Sequence, residues 1–146
     1  MRFWDTSAVV PLLVREPEST TVGACLRADS AVIVWWATRT ECLSALARRA
    51  REGVIEERVA ARARERLAAL AAEWSEVVPS EAVRSRAERL LTVHALRAAD
   101  ALQLGAALLW SRGDTGAHTF VGLDERLRGA ARREGFVVLP ACGAPS

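Results

Sequence analysis

The sequence predicts an α/β protein: a three-layer α/β/α domain with a mostly parallel central sheet of about four to five strands. The chain has 146 residues, of which 51% are hydrophobic and 26% charged, the balance of one folded domain with a buried core. Short apolar runs alternate with longer segments of helical periodicity. Parallel strands need long crossover connections, which are usually helical, so this alternation favours parallel pairing.

The predicted elements follow one another as strands and helices in turn. The opening run RFW meets Asp5 and then an apolar helical pattern, and similar units recur along the chain. The predicted strands, all short and apolar, are residues 2–4, 31–34, 76–78, 119–121 and 136–139. The predicted helices, with apolar residues at spacings of three and four, are residues 7–13, 18–28, 37–51, 55–74, 81–91, 97–111 and 124–133.

Residues 1–140 are predicted to form one domain, followed by a flexible tail at residues 141–146, which has little apolar content. The long helix 55–74 is predicted to pair with helix 37–51 as an amphipathic arm. This arm offers either a groove for a helix of another protein or internal packing alone. Periodicity does not choose between the two.

Several features predict a cytoplasmic protein without a membrane segment. The longest apolar runs, residues 8–14 and 31–37, are shorter than the roughly 18 residues of a membrane span, and no signal peptide is recognised. Cys25, Cys42 and Cys142 are odd in number and form no CxxC pair, which fits neither a disulfide framework nor a zinc site. The net charge of +2 predicts no partner by itself.

The five aspartates fall into two groups. Asp29 and Asp114 lie in turn-like contexts, where a local hydrogen bond to the backbone explains them. Asp5 and Asp124 follow predicted strands, and Asp100 opens an almost wholly apolar helix. Each of these three, taken singly, also fits a helix cap or first-turn acid. Asp100 fits least well, because a charge on a nearly buried helix needs a partner.

These acids are expected to converge. The carboxyl ends of parallel strands meet at one edge of a sheet, so Asp5 and Asp124 would lie there, with Asp100 facing them. Glu41 is either a fourth member or a solvated glutamate near Arg48. Clustered carboxylates raise one another's pKa unless a cation neutralises them, and Mg²⁺ or Mn²⁺ suits oxygen ligands. Such ions activate water and stabilise the leaving oxygen of a phosphodiester.

Four segments stand in the order FWDTSAVVPLLVREP, TECLSALARRAREG, LRAADALQLGAAL and TFVGLDERLRGAARREGFVVL. Each is loose alone, but together they span nearly the whole chain and resemble the PIN-domain nucleases, within them the VapC-type toxins of bacterial toxin-antitoxin pairs. The resemblance implies an α/β/α fold and endonucleolytic cleavage of RNA with Mg²⁺ or Mn²⁺. It also implies a small cognate antitoxin and a homodimer.

The resemblance further assigns roles to individual residues. It implies that the catalytic acids, which are also the metal ligands, are Asp5, Glu41, Asp100 and Asp124. It suggests that the Ser7 hydroxyl supports the metal or its waters, the simpler alternative being a helix cap. Gln103 departs from the pattern, since many relatives carry histidine there.

Other side chains have two interpretations. Candidate phosphate contacts, each otherwise part of a solvated helix face, are Arg48, Arg49, Arg51, Arg126, Arg128, Arg132 and Arg133. Trp4 and Trp36 sit in apolar patterns and are predicted to be core. His94 and His118 lie outside the motifs and are predicted to be ordinary surface or loop residues.

Two other functions stay open on the sequence. A phosphatase with Asp5 as nucleophile would resemble the haloacid dehalogenases, but these expect a second aspartate where Ser7 stands. A non-catalytic RNA-binding or interaction module on the same fold would gain nothing from clustered acids. The sequence therefore favours the metal-dependent ribonuclease.

Overall fold

A computed structural model describes residues 1–141, which form an α/β domain around a five-stranded sheet. The strands are β1 (Arg2–Trp4), β2 (Val32–Trp35), β3 (Ser75–Val77), β4 (Thr119–Val121) and β5 (Val137–Leu139). They lie in the order β3-β2-β1-β4-β5, and every neighbouring pair is parallel. The predicted fold class is confirmed, and the predicted strands agree within a residue at each end. Of the predicted tail, residues 142–146 lie outside the described residues.

In the described part of the chain, seven helices connect and cover the strands. They are α1 (Thr6–Leu13), α2 (Ser19–Ala28), α3 (Thr38–Arg51), α4 (Glu57–Glu73), α5 (Glu81–Val93), α6 (Ala98–Ser111) and α7 (Glu125–Arg133). A 3₁₀ turn, Thr115–Ala117, precedes β4. From residue 1 to residue 141, no helix combines the length and the apolar character that crossing a membrane requires.

The sheet has an apolar core on each face, because successive side chains of a strand point to opposite sides. Phe3 of β1 packs in one core, together with Phe120 of β4 and Leu104 of α6. Trp4, the next residue, packs in the other core with Leu46 of α3. Helices α5, α6 and α7 thus cover one face, and α1 to α4 cover the other, which gives three layers.

Helix α6 lies unusually close to α5, and a glycine makes this possible. A Cβ atom at Gly105 would stand 3.1 Å from the carbonyl oxygen of Val83 and 3.1 Å from the amide nitrogen of Ala87. Both atoms belong to the backbone of α5, which cannot move aside cheaply. This packing fixes the position of α6, whose first turn carries Asp100.

Two predictions about buried side chains are wrong. Trp36 was predicted to be core, yet its side chain is 54% exposed, because β2 ends at Trp35 and the chain turns there before α3 begins at Thr38. His94 was predicted to be an ordinary surface or loop residue, but it is buried. It ends α5, and its Nε2 atom lies 3.0 Å from a carboxylate oxygen of Glu134 at the end of α7.

Candidate active site

All four acids predicted from the sequence line one cavity of about 480 Å³. Asp5 directly follows β1, and Asp124 lies just after the neighbouring parallel strand β4, so both stand at the carboxyl edge of the sheet. Glu41 and Asp100 belong to the first turns of α3 and α6. The structure therefore brings together side chains from four separate segments of the chain.

Asp5 is the most deeply buried of the four acids, with 4% of its surface exposed. Its Oδ2 atom caps α1, accepting hydrogen bonds from the backbone N–H of Ser7 at 3.2 Å and from the Ser7 hydroxyl. No donor among residues 1–141 reaches its second oxygen, Oδ1. Burial raises the pKa of Asp5 to about 7; the Ser7 hydrogen bonds oppose the rise, and the charges of Glu41 and Asp100 add to it.

The Ser7 hydroxyl connects the segments that follow β1 and β4. While it donates to Asp5, its oxygen accepts from the backbone N–H of Leu123 at 2.8 Å and of Asp124 at 3.3 Å. Asp124 in turn caps α7, its Oδ1 accepting from the N–H of Leu127 at 3.0 Å. Asp5 and Asp124 therefore do cap helices, as one interpretation of the sequence held. The capping hydrogen bonds use one oxygen of each carboxylate.

Asp100 lies in the first turn of α6 without capping it, since Arg97 is the N-cap residue. Burial raises the pKa of Asp100, and the negative charge of Asp124 raises it further. A backbone hydrogen bond from Arg97 and the positive charges of Arg97 and Arg126 oppose that rise. The acid thus lies between another carboxylate and two arginines.

Glu41 is held by a polar network around Gln103 rather than standing as a solvated glutamate. The Gln103 amide is 1% exposed and donates from Nε2 to Glu41 at 2.6 Å, to Thr6 at 2.9 Å and to Thr38 at 3.0 Å. The Thr6 hydroxyl also donates to Glu41. In the sequence Gln103 departs from the family pattern, and its position one turn after Asp100 sets it on the same helical face as that acid, which already predicts that both face one cleft.

The predicted arginine contacts divide by position. Arg48 and Arg49 line the cavity, and Arg49 also pairs with Glu16 at 2.8 Å. Arg126 is exposed at the start of α7 and acts electrostatically on Asp100. Arg128 is buried and donates to backbone carbonyls after β4 and β5, both at 2.6 Å. Its prediction as a phosphate contact is wrong, because helical periodicity turns it inward.

The side-chain atoms around the cavity that could bind a metal ion are oxygen atoms of carboxylates, hydroxyls and an amide. Within residues 1–141, no group of three or more acidic, histidine or cysteine side chains is already placed to hold a metal ion by itself. Magnesium is commonly held by one or two carboxylates and keeps several waters, whereas structural zinc needs four close nitrogen or sulfur ligands. The residues present therefore fit a hydrated hard cation, and they do not fit zinc.

Comparison with protein families gives one result that covers most of the chain. The family model described as PIN domain matches residues 2–132, a span that runs from β1 into α7 and includes all four acids. Comparison with curated proteins gives no match. PIN domains are in general metal-dependent nucleases. With the parallel sheet, the acidic cavity and this match in agreement, the chain belongs to the PIN domain family.

Proposed function

We propose that this protein is an endoribonuclease that depends on Mg²⁺ or Mn²⁺ and acts as the toxin of a toxin-antitoxin pair. The observation that supports the nuclease most strongly is the single cavity lined by Asp5, Glu41, Asp100 and Asp124. Desolvation and mutual repulsion make such a cluster unfavourable without a cation. The choice of RNA and the toxin role rest on the resemblance to VapC-type proteins.

Each residue has a part that follows from its surroundings. Asp5 and Asp100 would hold the ion directly, since the pKa of each is raised and a cation would favour the ionised form. Glu41 and Asp124 would hold its waters. When bound, Mg²⁺ or Mn²⁺ supplies positive charge for the phosphate and lowers the pKa of water. The Gln103 amide and the Ser7 hydroxyl keep the acids in fixed orientations.

The arginines near the cavity support a polyanionic substrate. Arg48 and Arg49 line the cavity, and the positive charges of Arg97 and Arg126 act on Asp100. Guanidinium groups bind phosphate through paired hydrogen bonds. RNA would therefore lie across the cavity with its backbone along these arginines and one phosphodiester over the acids.

The ribonuclease is tested with labelled single-stranded RNA and DNA of the same sequence. We expect cleavage of RNA in Mg²⁺ or Mn²⁺, none in chelator, and a loss of at least about a hundredfold in Asp100→Asn, the scale of a lost electrostatic contribution. Asp114→Asn, which removes a charge from an exposed turn, should cleave normally. Cleavage that persists in chelator would rule the proposal out, and phosphate release from a small monoester would favour the phosphatase.

Metal binding is tested separately from catalysis by thermal unfolding. We expect Mn²⁺ to raise the melting temperature of the wild-type protein, because a ligand of the native state stabilises it. The rise should be much smaller in Asp5→Asn and in Asp100→Asn, while Asp114→Asn should respond like the wild type. An equal rise in melting temperature in all four proteins would show that the metal does not bind in the cavity.

The antitoxin, which the resemblance to VapC-type proteins places in the active-site cleft, is proposed to bind also the arm formed by α3 and α4. Packing within the chain leaves large apolar side chains exposed on the arm, Leu43 at 39% and Val59 at 36%, and Val54 at 66% in the connection between the two helices. An amphipathic helix of a small partner would cover them. We expect a protein encoded next to this one to co-purify with it and inhibit cleavage, and Leu43→Glu to weaken that binding without loss of nuclease activity. If Leu43→Glu leaves both the binding and the inhibition unchanged, the partner binds elsewhere on the protein.

Homodimer formation and a cytoplasmic location belong to the same proposal. Cys25 and Cys42 are free thiols, as a reducing compartment would keep them. Sedimentation of the purified protein tests the dimer: a monomer mass at working concentration would contradict it. Fractionation of cells that express the protein tests the location.

A further inference from the structure

An exposed indole ring stands at the carboxyl edge of the sheet, the edge at which Asp5 and Asp124 also lie. Of the five tryptophans, Trp36 is the exposed one, at 54%, whereas Trp4 is fully buried and Trp35 is 6% exposed. Val78, which follows β3, is 61% exposed. Large apolar side chains left in water at such a place suggest a contact that the isolated chain does not make.

The strand register places Trp36 close to Asp5. Phe3 of β1 pairs with Ile33 of β2, so counting two residues along each chain sets Asp5 level with Trp35, and Trp36 is the next residue. Neighbouring strands are about 4.8 Å apart. Trp36 therefore follows the strand that is the immediate neighbour of the strand leading into Asp5, the most buried acid.

Hydrogen bonds at Trp36 and two residues after it also fix the backbone of Trp36. Its N–H donates to the carbonyl of Val77 at 3.0 Å, which extends the pairing of β2 with β3. Two residues later, Thr38 is fully buried and accepts a hydrogen bond from the Gln103 amide that orients Glu41. A ring on so rigid a backbone loses little conformational freedom when something stacks on it.

Val78 enlarges the same surface. Trp35 pairs with Val77, so the next residues, Trp36 and Val78, occupy neighbouring positions at the ends of β2 and β3. A second concavity of about 410 Å³ adjoins these strand ends and is lined by residues that include Trp35 and Leu102.

This second concavity lies close to the acids. Leu102 stands two residues after Asp100 on α6, which puts the two concavities on different sides of one helix. A helix with its side chains is about 10 Å across. A single nucleic acid strand can therefore reach both concavities at once.

We infer that Trp36, with Val78 beside it, is the surface on which a base of the substrate RNA stacks next to the phosphodiester over the acids. This inference rests on the proposed ribonuclease function. Aromatic side chains bind single strands in this way with little preference among bases. A stable protein interface needs about 800 Å² on each partner, and two side chains fall well short of that. A base, in contrast, matches the size of one indole ring.

The test compares two probes in chelator, where the proposed cleavage cannot proceed. One is a short oligoadenylate, and the other is a ribose-phosphate oligomer of the same length without bases. We expect Trp36→Ala to bind oligoadenylate roughly tenfold more weakly than the wild type, the scale of one lost base stack. Binding of the abasic oligomer should not change. Trp36→Phe should keep most of the affinity, and Val93→Ala, an exposed change at the end of α5, should keep all of it.

Other outcomes would overturn the inference. Equal binding of oligoadenylate by wild type and Trp36→Ala would show that no base stacks there. So would a wild type that binds both probes equally, or fails to bind oligoadenylate. A smaller sedimenting mass in Trp36→Ala would assign the ring to a dimer interface instead. Because binding is read without cleavage, a chain that binds as expected but never cuts RNA would refute the ribonuclease and leave the stacking surface in place.

Discussion

Replacing Asp5 with asparagine should change how stability depends on pH, because this carboxyl is buried and its pKa lies near 7 in the folded protein. In the unfolded chain it titrates near its ordinary value of 3.8. Between these two values the folded protein holds a proton that the unfolded chain releases. The free energy of unfolding must therefore fall as the pH rises through this range.

The magnitude follows from the two pKa values. A difference of about three pH units corresponds to roughly 4 kcal/mol between fully protonated and fully ionised Asp5, since one unit is worth about 1.4 kcal/mol. Of this, roughly 3 kcal/mol is lost between about pH 5 and pH 8. Asparagine cannot ionise, yet its carbonyl oxygen can still accept both hydrogen bonds from Ser7 and cap α1.

Urea unfolding of both proteins in chelator, at several values from about pH 5 to pH 8, provides the measurement. We expect the stability of Asp5→Asn relative to the wild type to grow by roughly 3 kcal/mol over this range. Asp114→Asn, the same change of charge on an exposed turn, should show no such trend. Adding Mg²⁺ should flatten the wild-type curve, because a bound cation favours the ionised acid. A difference between wild type and Asp5→Asn that stays constant with pH would refute the desolvated carboxyl.

Three further predictions compare matched pairs or a single network. Arg128→Ala should lose about 2 kcal/mol of stability in urea unfolding, because its buried hydrogen bonds to backbone carbonyls disappear. Arg126→Ala should leave stability unchanged and reduce the salt dependence of RNA binding. The opposite pattern would contradict the assignment of Arg128 to the fold and of Arg126 to RNA binding. Gly105→Ala should destabilise the protein by about 1–3 kcal/mol, because the added methyl group clashes with α5. Gly129→Ala, whose added methyl group meets no atom closer than 3.7 Å, should stabilise α7 by up to about 1 kcal/mol in thermal unfolding. Gln103→Leu should cost about 2 kcal/mol and lower cleavage, since it leaves the partly buried carboxylate of Glu41 without its amide donor; unchanged cleavage would remove Gln103 from the site.

Much of the fold could be predicted because its signals are local. Helix α1 begins where Asp5 interrupts an apolar run, and α7 begins at Asp124 in the same way, so strand ends and helix starts are marked by single residues. The convergence of the acids also followed from topology, since parallel strands place their carboxyl ends together. The assignment of Glu41 needed the family resemblance.

The features that were missed depend on contacts between distant segments. Whether Trp36 is covered depends on where β2 ends relative to the helices, which periodicity within residues 31–37 does not reveal. His94 is buried because the end of α7 brings Glu134 to it, 40 residues along the chain. The role of Gln103 required three partners, all more than 60 residues away in the chain, to meet around one amide.

The position of β1 at the centre of the sheet has a consequence for biosynthesis. Its carboxyl end meets β2, which is made early, and β4, which is made late together with Asp124. At about 5–20 residues per second, several seconds of translation separate the appearance of Glu41 from that of Asp124. A nascent polypeptide carries at most three of the four acids throughout that interval, and it cannot assemble the complete pocket until synthesis has passed β4 and reached Asp124.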